Sequence, residues 1–181
     1  MRKIVALEYL TLDGVMEHPA WTAPYFNDEH ARYAHAQLFG ADALLLGRET
    51  YEGFAQAWPQ STDEQGFADR MNSLPKYVVT DSPGELSWTN SQRIAGAELA
   101  ARLADFKAQP GQDILIYGSG KLVRSLMAQG LLDVLRLWVH PVVVGVGKRL
   151  FADGETATLT LLDTERFSSG TVVLSYAPEK P

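Results

Sequence analysis

Ile114-Leu115-Ile116-Tyr117-Gly118-Ser119-Gly120-Lys121-Leu122-Val123 reads as a buried strand, a glycine turn and the start of a helix. The apolar run from Ile114 to Tyr117 is too short for a helix and is bounded by Pro110-Gly111 behind and glycine ahead. Beyond the turn, Leu122, Val123, Leu126 and Met127 recur with helical spacing, and Gly130 stands where a C-terminal cap is expected. Glycines at 118 and 120 let the backbone turn sharply and approach a ligand closely. The helix behind them aims free N–H groups and a partial positive charge at that space, which suits a phosphate. The stretch is not a Walker A loop, because the four-residue gap before Gly-Lys-Ser/Thr is missing. Nor is it a full dinucleotide fingerprint, because Val123 stands where the third glycine belongs. Alone it reads also as a plain strand-to-helix turn, so the phosphate reading needs a second such stretch.

A second stretch exists. Ala43-Leu44-Leu45-Leu46 reads as a strand that ends in Gly47-Arg48-Glu49-Thr50-Tyr51-Glu52. Gly47 permits close backbone approach, Arg48 offers a fork of donors, and the Thr50 hydroxyl sits at the start of a helix. The plainer reading pairs Arg48 with a nearby carboxylate and makes Thr50 a cap.

The remaining segments fall around these two. Lys3 to Leu10 is a nearly continuous apolar strand, as expected of a central strand covered on both faces. Leu12-Asp13-Gly14 turns the chain, and a helix runs from Asn27 or Asp28 to about Phe39, stopped by Gly40. Trp58-Pro59 closes the helix after Gly47. Lys76 to Thr80 is a strand with Thr80-Asp81 at its carboxyl end, where open sheets bind ligands. Leu86 to Thr89 is expected as a short strand, and Gly96 to Lys107 as a helix with Leu99, Leu103 and Phe106 on one face. Another strand lies within Leu131 to Val139. His140-Pro141 opens a glycine-hinged loop ending in Lys148-Arg149, a pair that meets a substrate phosphate or stays solvated. Leu159 to Asp163 and Thr171 to Tyr176 form a closing hairpin. The order predicts an α/β domain with a mostly parallel sheet of seven or eight strands and an antiparallel edge.

The totals narrow the function. With 181 residues the chain is expected to be one domain, burying roughly 70% of its unfolded surface. A net charge of -6 argues against nucleic-acid or membrane-surface binding. The absence of cysteine excludes disulfides, thiolate metal sites and cysteine nucleophiles. No metal site is expected. The apolar run after Arg2-Lys3 stops at Glu8, too short for a signal peptide, and Leu135 to Val146 is broken by Arg136, His140 and Pro141. A cytoplasmic protein is the expectation.

Strand, Leu12-Asp13-Gly14, helix, strand, Gly47-Arg48-x-Thr50-Tyr51-Glu52, strand, Gly118-Ser119-Gly120 and helix occur in the order of dihydrofolate reductase. The chain resembles still more closely the reductase domain of riboflavin biosynthesis and its stand-alone relatives. These share Gly47-Arg48-x-Thr50-Tyr51-Glu52-Gly53, Gly118-Ser119-Gly120-Lys121-Leu122, and His140-Pro141 followed by Gly145-x-Gly147-Lys148-Arg149-Leu150-Phe151. The resemblance covers nearly all of residues 1–181. It implies the three-layer dihydrofolate reductase-like fold, with helices on both faces of a mixed, mostly parallel sheet. It also implies a homodimer that reduces a small heterocycle with NADPH, either 5-amino-6-(5-phosphoribosylamino)uracil or a related pterin or pyrimidine. By similarity, Gly47, Arg48 and Thr50 approach the cofactor phosphates, with Arg48 favouring the extra phosphate of NADPH. Thr80 and Asp81 flank the adenosine, and Gly118, Ser119, Gly120, Lys121 and Leu122 surround the pyrophosphate.

Two departures are informative. Dihydrofolate reductase holds its pterin with a carboxylate on the first helix; here Ala31 occupies the matching distance from Gly47, which disfavours folate. The zinc deaminase half of the bifunctional riboflavin enzyme, with its Pro-Cys-x-x-Cys signature, has no counterpart here, so only the reduction is expected. For the chemistry, Asp13 is the candidate catalytic group on the substrate side. Trp21 and Tyr25 are candidate walls for a flat ring, with Lys148 and Arg149 for a substrate phosphate. Two alternatives stay open: a non-catalytic nucleotide-binding dimer, motivated by the missing helix carboxylate, and a flavin-binding oxidoreductase using the same cavity.

Overall fold

The computed structural model describes residues 2–179. In chain order the elements are β1 (Ile4–Thr11), α1 (Asp28–Phe39), β2 (Ala41–Gly47), α2 (Arg48–Ala57), α3 (Phe67–Ser73), β3 (Lys76–Val79) and β4 (Ser91–Ile94). They continue with α4 (Leu99–Ala108), β5 (Asp113–Tyr117), α5 (Gly120–Ala128), β6 (Val134–His140), β7 (Leu159–Arg166) and β8 (Val172–Pro178). All eight strands form one sheet in the order β4-β3-β2-β5-β1-β6-β8-β7. It is parallel from β4 to β6, and the hairpin β7–β8 adds the antiparallel edge.

The continuous hydrophobicity of β1 has the expected cause, since the strand lies between β5 and β6 with both faces covered. Ile4, Ala6 and Leu10 pack on one face with Leu99, Leu103 and Phe106 of α4 and Leu122, Val123, Leu126 and Met127 of α5. Val5 and Leu7 pack on the other with Leu38 of α1, Tyr51 of α2 and Met71 of α3. Local signals set the helix ends. Asn27 Oδ1 accepts the His30 N–H at 3.0 Å, capping α1. Gly130, at φ 64°, lets the chain reverse after α5, and its N–H reaches Met127 O at 3.0 Å.

This topology creates a crevice. The chain leaves β1 for the face carrying α1 and leaves β5 for the face carrying α5. Adjacent parallel strands with exits on opposite faces leave a gap beyond their carboxyl ends, the usual ligand position in open α/β sheets. The register locates it. Pairing of β1 with β5 ends at Leu7↔Tyr117, while β1 continues along β6 to Thr11↔His140.

One element differs from expectation. Leu86 to Thr89 is not a strand; the fourth strand is the polar Ser91–Ile94, parallel to β3. Side chains hold the 86–89 backbone instead of a ladder. Trp88 N–H donates to Tyr51 Oη at 2.9 Å, and Thr89 O accepts the buried Lys76 ammonium at 3.1 Å. The strand expected within Leu131 to Val139 is β6, Val134–His140; Leu131 N–H is spent closing α5 on Leu126 O. Among the described residues, no helix is long and apolar enough to cross a membrane.

Candidate active site

The crevice opens into a cavity of about 1140 Å³ whose rim includes both glycine turns. Ser119 joins the turns. Gly47 N–H donates to Ser119 Oγ at 2.9 Å, and the Ser119 hydroxyl donates to Thr50 Oγ1 at 2.7 Å. Ser119 reaches this position in the left-handed region, at φ 66° and ψ 54°. The approach leaves room only for glycine at 47, where a Cβ would lie 2.9 Å from Ser119 Oγ. Neither α2 nor α5 has a side-chain N-cap. The unpaired first-turn N–H groups and positive ends of two helix dipoles therefore stand at one rim.

Arg48 opens α2. Its Nε pairs with Glu52 one turn on, and its guanidinium lies against the backbone of Gly84. Its Nη1 is buried with no hydrogen-bond partner among the described residues. A buried, unpaired guanidinium nitrogen beside two free helix N-termini suits an anion.

Below the rim the walls are aromatic: Tyr9, Phe54, Tyr117 and Trp138 line the cavity with Leu7 and Ala34. The Tyr9 hydroxyl meets His30 Nε2 at 3.0 Å. Burial, reinforced by His140, pushes the His30 imidazole down to about 4, so the ring is neutral beside Tyr9. The Tyr117 hydroxyl and Trp138 Nε1 are buried without hydrogen-bond partners among the described residues. Burial, and then neighbouring Tyr9, pushes the Tyr117 phenol far above its ordinary range, so it remains a donor.

Glu8 lines the same cavity. It is 1% exposed, and its Oε1 has no hydrogen-bond partner among the described residues. Burial pushes its carboxyl up to about 8, against the opposing pull of Arg124.

The expected site residues divide into two groups. Gly47, Arg48, Thr50, Gly118, Ser119, Gly120, Lys121 and Leu122 line one cavity, and Lys148 and Arg149 stand across it. Lys148 reaches Glu17 and Glu49 at 3.5 and 3.7 Å, while Arg149 Nε donates to Asp13 O at 2.9 Å. The others stand elsewhere. Asp13 does not line the cavity: its carboxylate accepts from Thr11 Oγ1 at 2.6 Å and from Gly145 N–H at 2.8 Å, tying down the loop after β6. The Thr11 hydroxyl bond, ahead of the backbone ones, holds Asp13 below the usual carboxylate range, which does not suit a proton donor. Trp21 and Tyr25 pack edge-on against buried His140, with ring centroids at 5.2 and 5.9 Å, and Tyr25 donates to Pro141 O. Thr80 and Asp81 are spent on backbone N–H groups, one in a local turn and one at the entry to α4. Thr80 Oγ1 accepts the Ser82 N–H, and Asp81 Oδ1 accepts the Gly96 N–H at 2.9 Å. It is Val79 and Gly96 that line the cavity there.

Sequence reasoning missed Glu8, Tyr9, Tyr117 and Trp138. Glu8 marked only the end of an apolar run, yet a charged residue inside a strand covered on both faces must be buried. That signal was available. For the aromatic residues no signal separates cavity wall from core, because both require apolar side chains on strands.

The structure is similar to that of a pyrimidine reductase-like protein of Corynebacterium diphtheriae, with a TM-score of 0.70 and 17% identity over 99% of this chain and 93% of that one. It is also similar to dihydrofolate reductase of Enterococcus faecalis complexed with NADP(H), with a TM-score of 0.61 and 14% identity over 98% and 97%. These likenesses show the fold, an open dihydrofolate reductase-like sheet. In sequence, the chain is 32% identical to the uncharacterized protein YyaP of Bacillus subtilis (strain 168) over 179 residues, covering 97% of this chain and 94% of that protein. The family model described as the RibD C-terminal domain matches residues 2–173, and the chain therefore belongs to the RibD C-terminal domain family.

Proposed function

We propose that this chain is an NADPH-dependent reductase of a small flat heterocycle, a ribosylaminouracil of the riboflavin pathway or a related pterin or pyrimidine. The observation that carries the reading is the Ser119 junction, which brings two uncapped helix N-termini to one rim beside the unpartnered Nη1 of Arg48. Family membership and the fold agree with it. Gly47, Thr50, Gly118, Ser119 and Gly120 would hold the pyrophosphate through backbone N–H groups and hydroxyls. Arg48 would answer the additional phosphate of NADPH. When bound, the dinucleotide supplies the hydride. The aromatic walls then take a flat ring and exclude water, and the unpaired Tyr117 hydroxyl and Trp138 N–H offer donors to its carbonyl oxygens. Lys148 and Arg149 at the cavity edge would meet a substrate phosphate. We further propose that the protein acts as a homodimer.

Thermal unfolding with added nucleotide tests this reading. A ligand present at a hundred times its dissociation constant stabilises the fold by about 2.7 kcal/mol. NADPH is expected to raise the melting temperature, with NADH raising it less. Arg48→Ala is expected to cost roughly 1.5–3 kcal/mol of NADPH binding and to narrow that preference. No shift with either nicotinamide would overturn the reading and favour a flavin or non-catalytic role.

A further inference from the structure

We propose that Glu8 is the proton donor of this cavity, and that its carboxyl and an oxidised nicotinamide in the same crevice form a charge pair. The proposal rests on the nicotinamide reading above and adds a residue that the cofactor motifs do not contain.

Position is the first argument. Glu8 is one residue beyond Leu7↔Tyr117, the last pair joining β1 to β5, so it stands where the two strands part. Tyr117 leads directly into the Gly118–Gly120 turn, and Glu8 and that turn line one cavity. Alternation along β1 places its side chain on the face covered by α4 and α5, among Ala6, Leu10 and Leu122.

The second argument is the missing partner. Of the other cations in the cavity, Lys148, Arg48 and Arg149 are already engaged, and Lys121 is an exposed side chain at the start of α5. Lys148 is near Glu17 and Glu49, Arg48 pairs with Glu52, and Arg149 donates to Asp13 O. Arg124, the charge on α5 that acts on Glu8, is spent on Glu155 at 3.1 Å and Leu150 O at 2.8 Å. Level with Glu8 on β6 stands Leu137, which offers nothing polar. Glu8 is 1% exposed and makes no hydrogen bond through Oε1. A buried carboxyl in those surroundings holds its proton until an acceptor or a positive charge arrives.

The chemistry supplies both. Glu8 protonates the nitrogen or oxygen of a substrate C=N or C=O bond whose carbon receives the hydride. The substrate would gain two hydrogens and two electrons, and Glu8 would be left as a carboxylate in the cavity that holds the oxidised nucleotide. On release of the oxidised nucleotide the carboxylate takes a proton from solvent, restoring the acid.

This predicts a proton balance measurable without any substrate. NADP⁺ and NADPH are titrated separately into the purified full chain in weak buffer near pH 7, with an indicator dye reporting protons and calorimetry reporting affinity. Both nucleotides carry the same phosphates, so their difference isolates the ring. NADP⁺ is expected to release close to one proton per site more than NADPH. In Glu8→Gln that excess should vanish and NADP⁺ affinity should fall about tenfold or more, while NADPH affinity changes little. NADP⁺ binding to the wild type without excess release, or equal release by Glu8→Gln, would overturn the assignment of Glu8 and leave the nicotinamide reading standing. Failure of both nucleotides to bind would overturn both readings. Should Glu8→Gln not fold, carboxyl ¹³C NMR of the wild type decides the matter. A Glu8 resonance titrating above pH 7 and moving down with saturating NADP⁺ supports the proposal; one titrating in the ordinary glutamate range overturns it.

Discussion

At the scale of the residue, the buried carboxyl of Glu8 makes a prediction about stability that is independent of any ligand. Its carboxyl is held up to about 8 by burial, against an ordinary value of 4.5. Between those values the folded state keeps a proton that the unfolded chain has lost, so stability falls as pH rises. The contribution is full below the unfolded value and is lost through the folded one. The window is wide enough for a loss on the order of 4 kcal/mol. Glu8→Gln keeps the shape and cannot ionise. Denaturant unfolding from pH 5 to pH 9 is expected to show wild type and variant converging at the acid end, with Glu8→Gln the more stable by a few kcal/mol at the alkaline end. Parallel curves would mean that the carboxyl is solvated in the folded protein. Asp13 is the contrast: its hydrogen bonds hold it ionised, and its work is to anchor the loop carrying Gly145.

At the scale of the element, the site depends on how closely two strand-to-helix turns approach. Gly47 and Ser119 are 72 positions apart in sequence, yet share a 2.9 Å hydrogen bond. Gly47→Ala would force a Cβ to within 2.9 Å of Ser119 Oγ and 3.1 Å of its Cβ, spreading the turns. A loss of NADPH affinity of about tenfold or more is expected, read by calorimetry. Ser119 separates two effects. Ser119→Gly removes the hydroxyl but accepts φ 66° readily, whereas Ser119→Ala loses the same bonds and keeps the backbone strain. Ser119→Ala should therefore unfold at lower denaturant, by about 1 kcal/mol relative to Ser119→Gly. Equal stabilities would show that the left-handed conformation costs nothing here.

At the scale of the whole molecule, the sheet ends in a strand with one free edge. β7 carries a register shift between Leu161 and Asp163. Leu161 and Leu162 are left 52% and 54% exposed. A homodimer would cover such residues. Sedimentation is expected to give a dimer, and the double substitution Leu161→Glu with Leu162→Glu a folded monomer; a dimer that survives both changes would place its interface elsewhere. Much of the architecture was legible in the amino-acid sequence. The continuous runs of β1 and β5 announced central strands, and Asn27, Gly40 and Gly130 announced helix ends, because these signals act over a few neighbouring residues. The two glycine turns before α2 and α5 were legible for the same reason. The polar Ser91–Ile94 was not, since an edge strand buries little and needs no hydrophobic period. Asp13, Trp21, Tyr25, Thr80 and Asp81 had the right chemistry, but sequence carries no direction for a side chain in a loop. Local order thus determined the strands and the turns. Only the tertiary structure decided that β1 and β5 part beyond Leu7, because strand order and register come from packing between segments more than a hundred residues apart. That parting places Glu8, from the middle of an apolar strand, in the wall of the cavity.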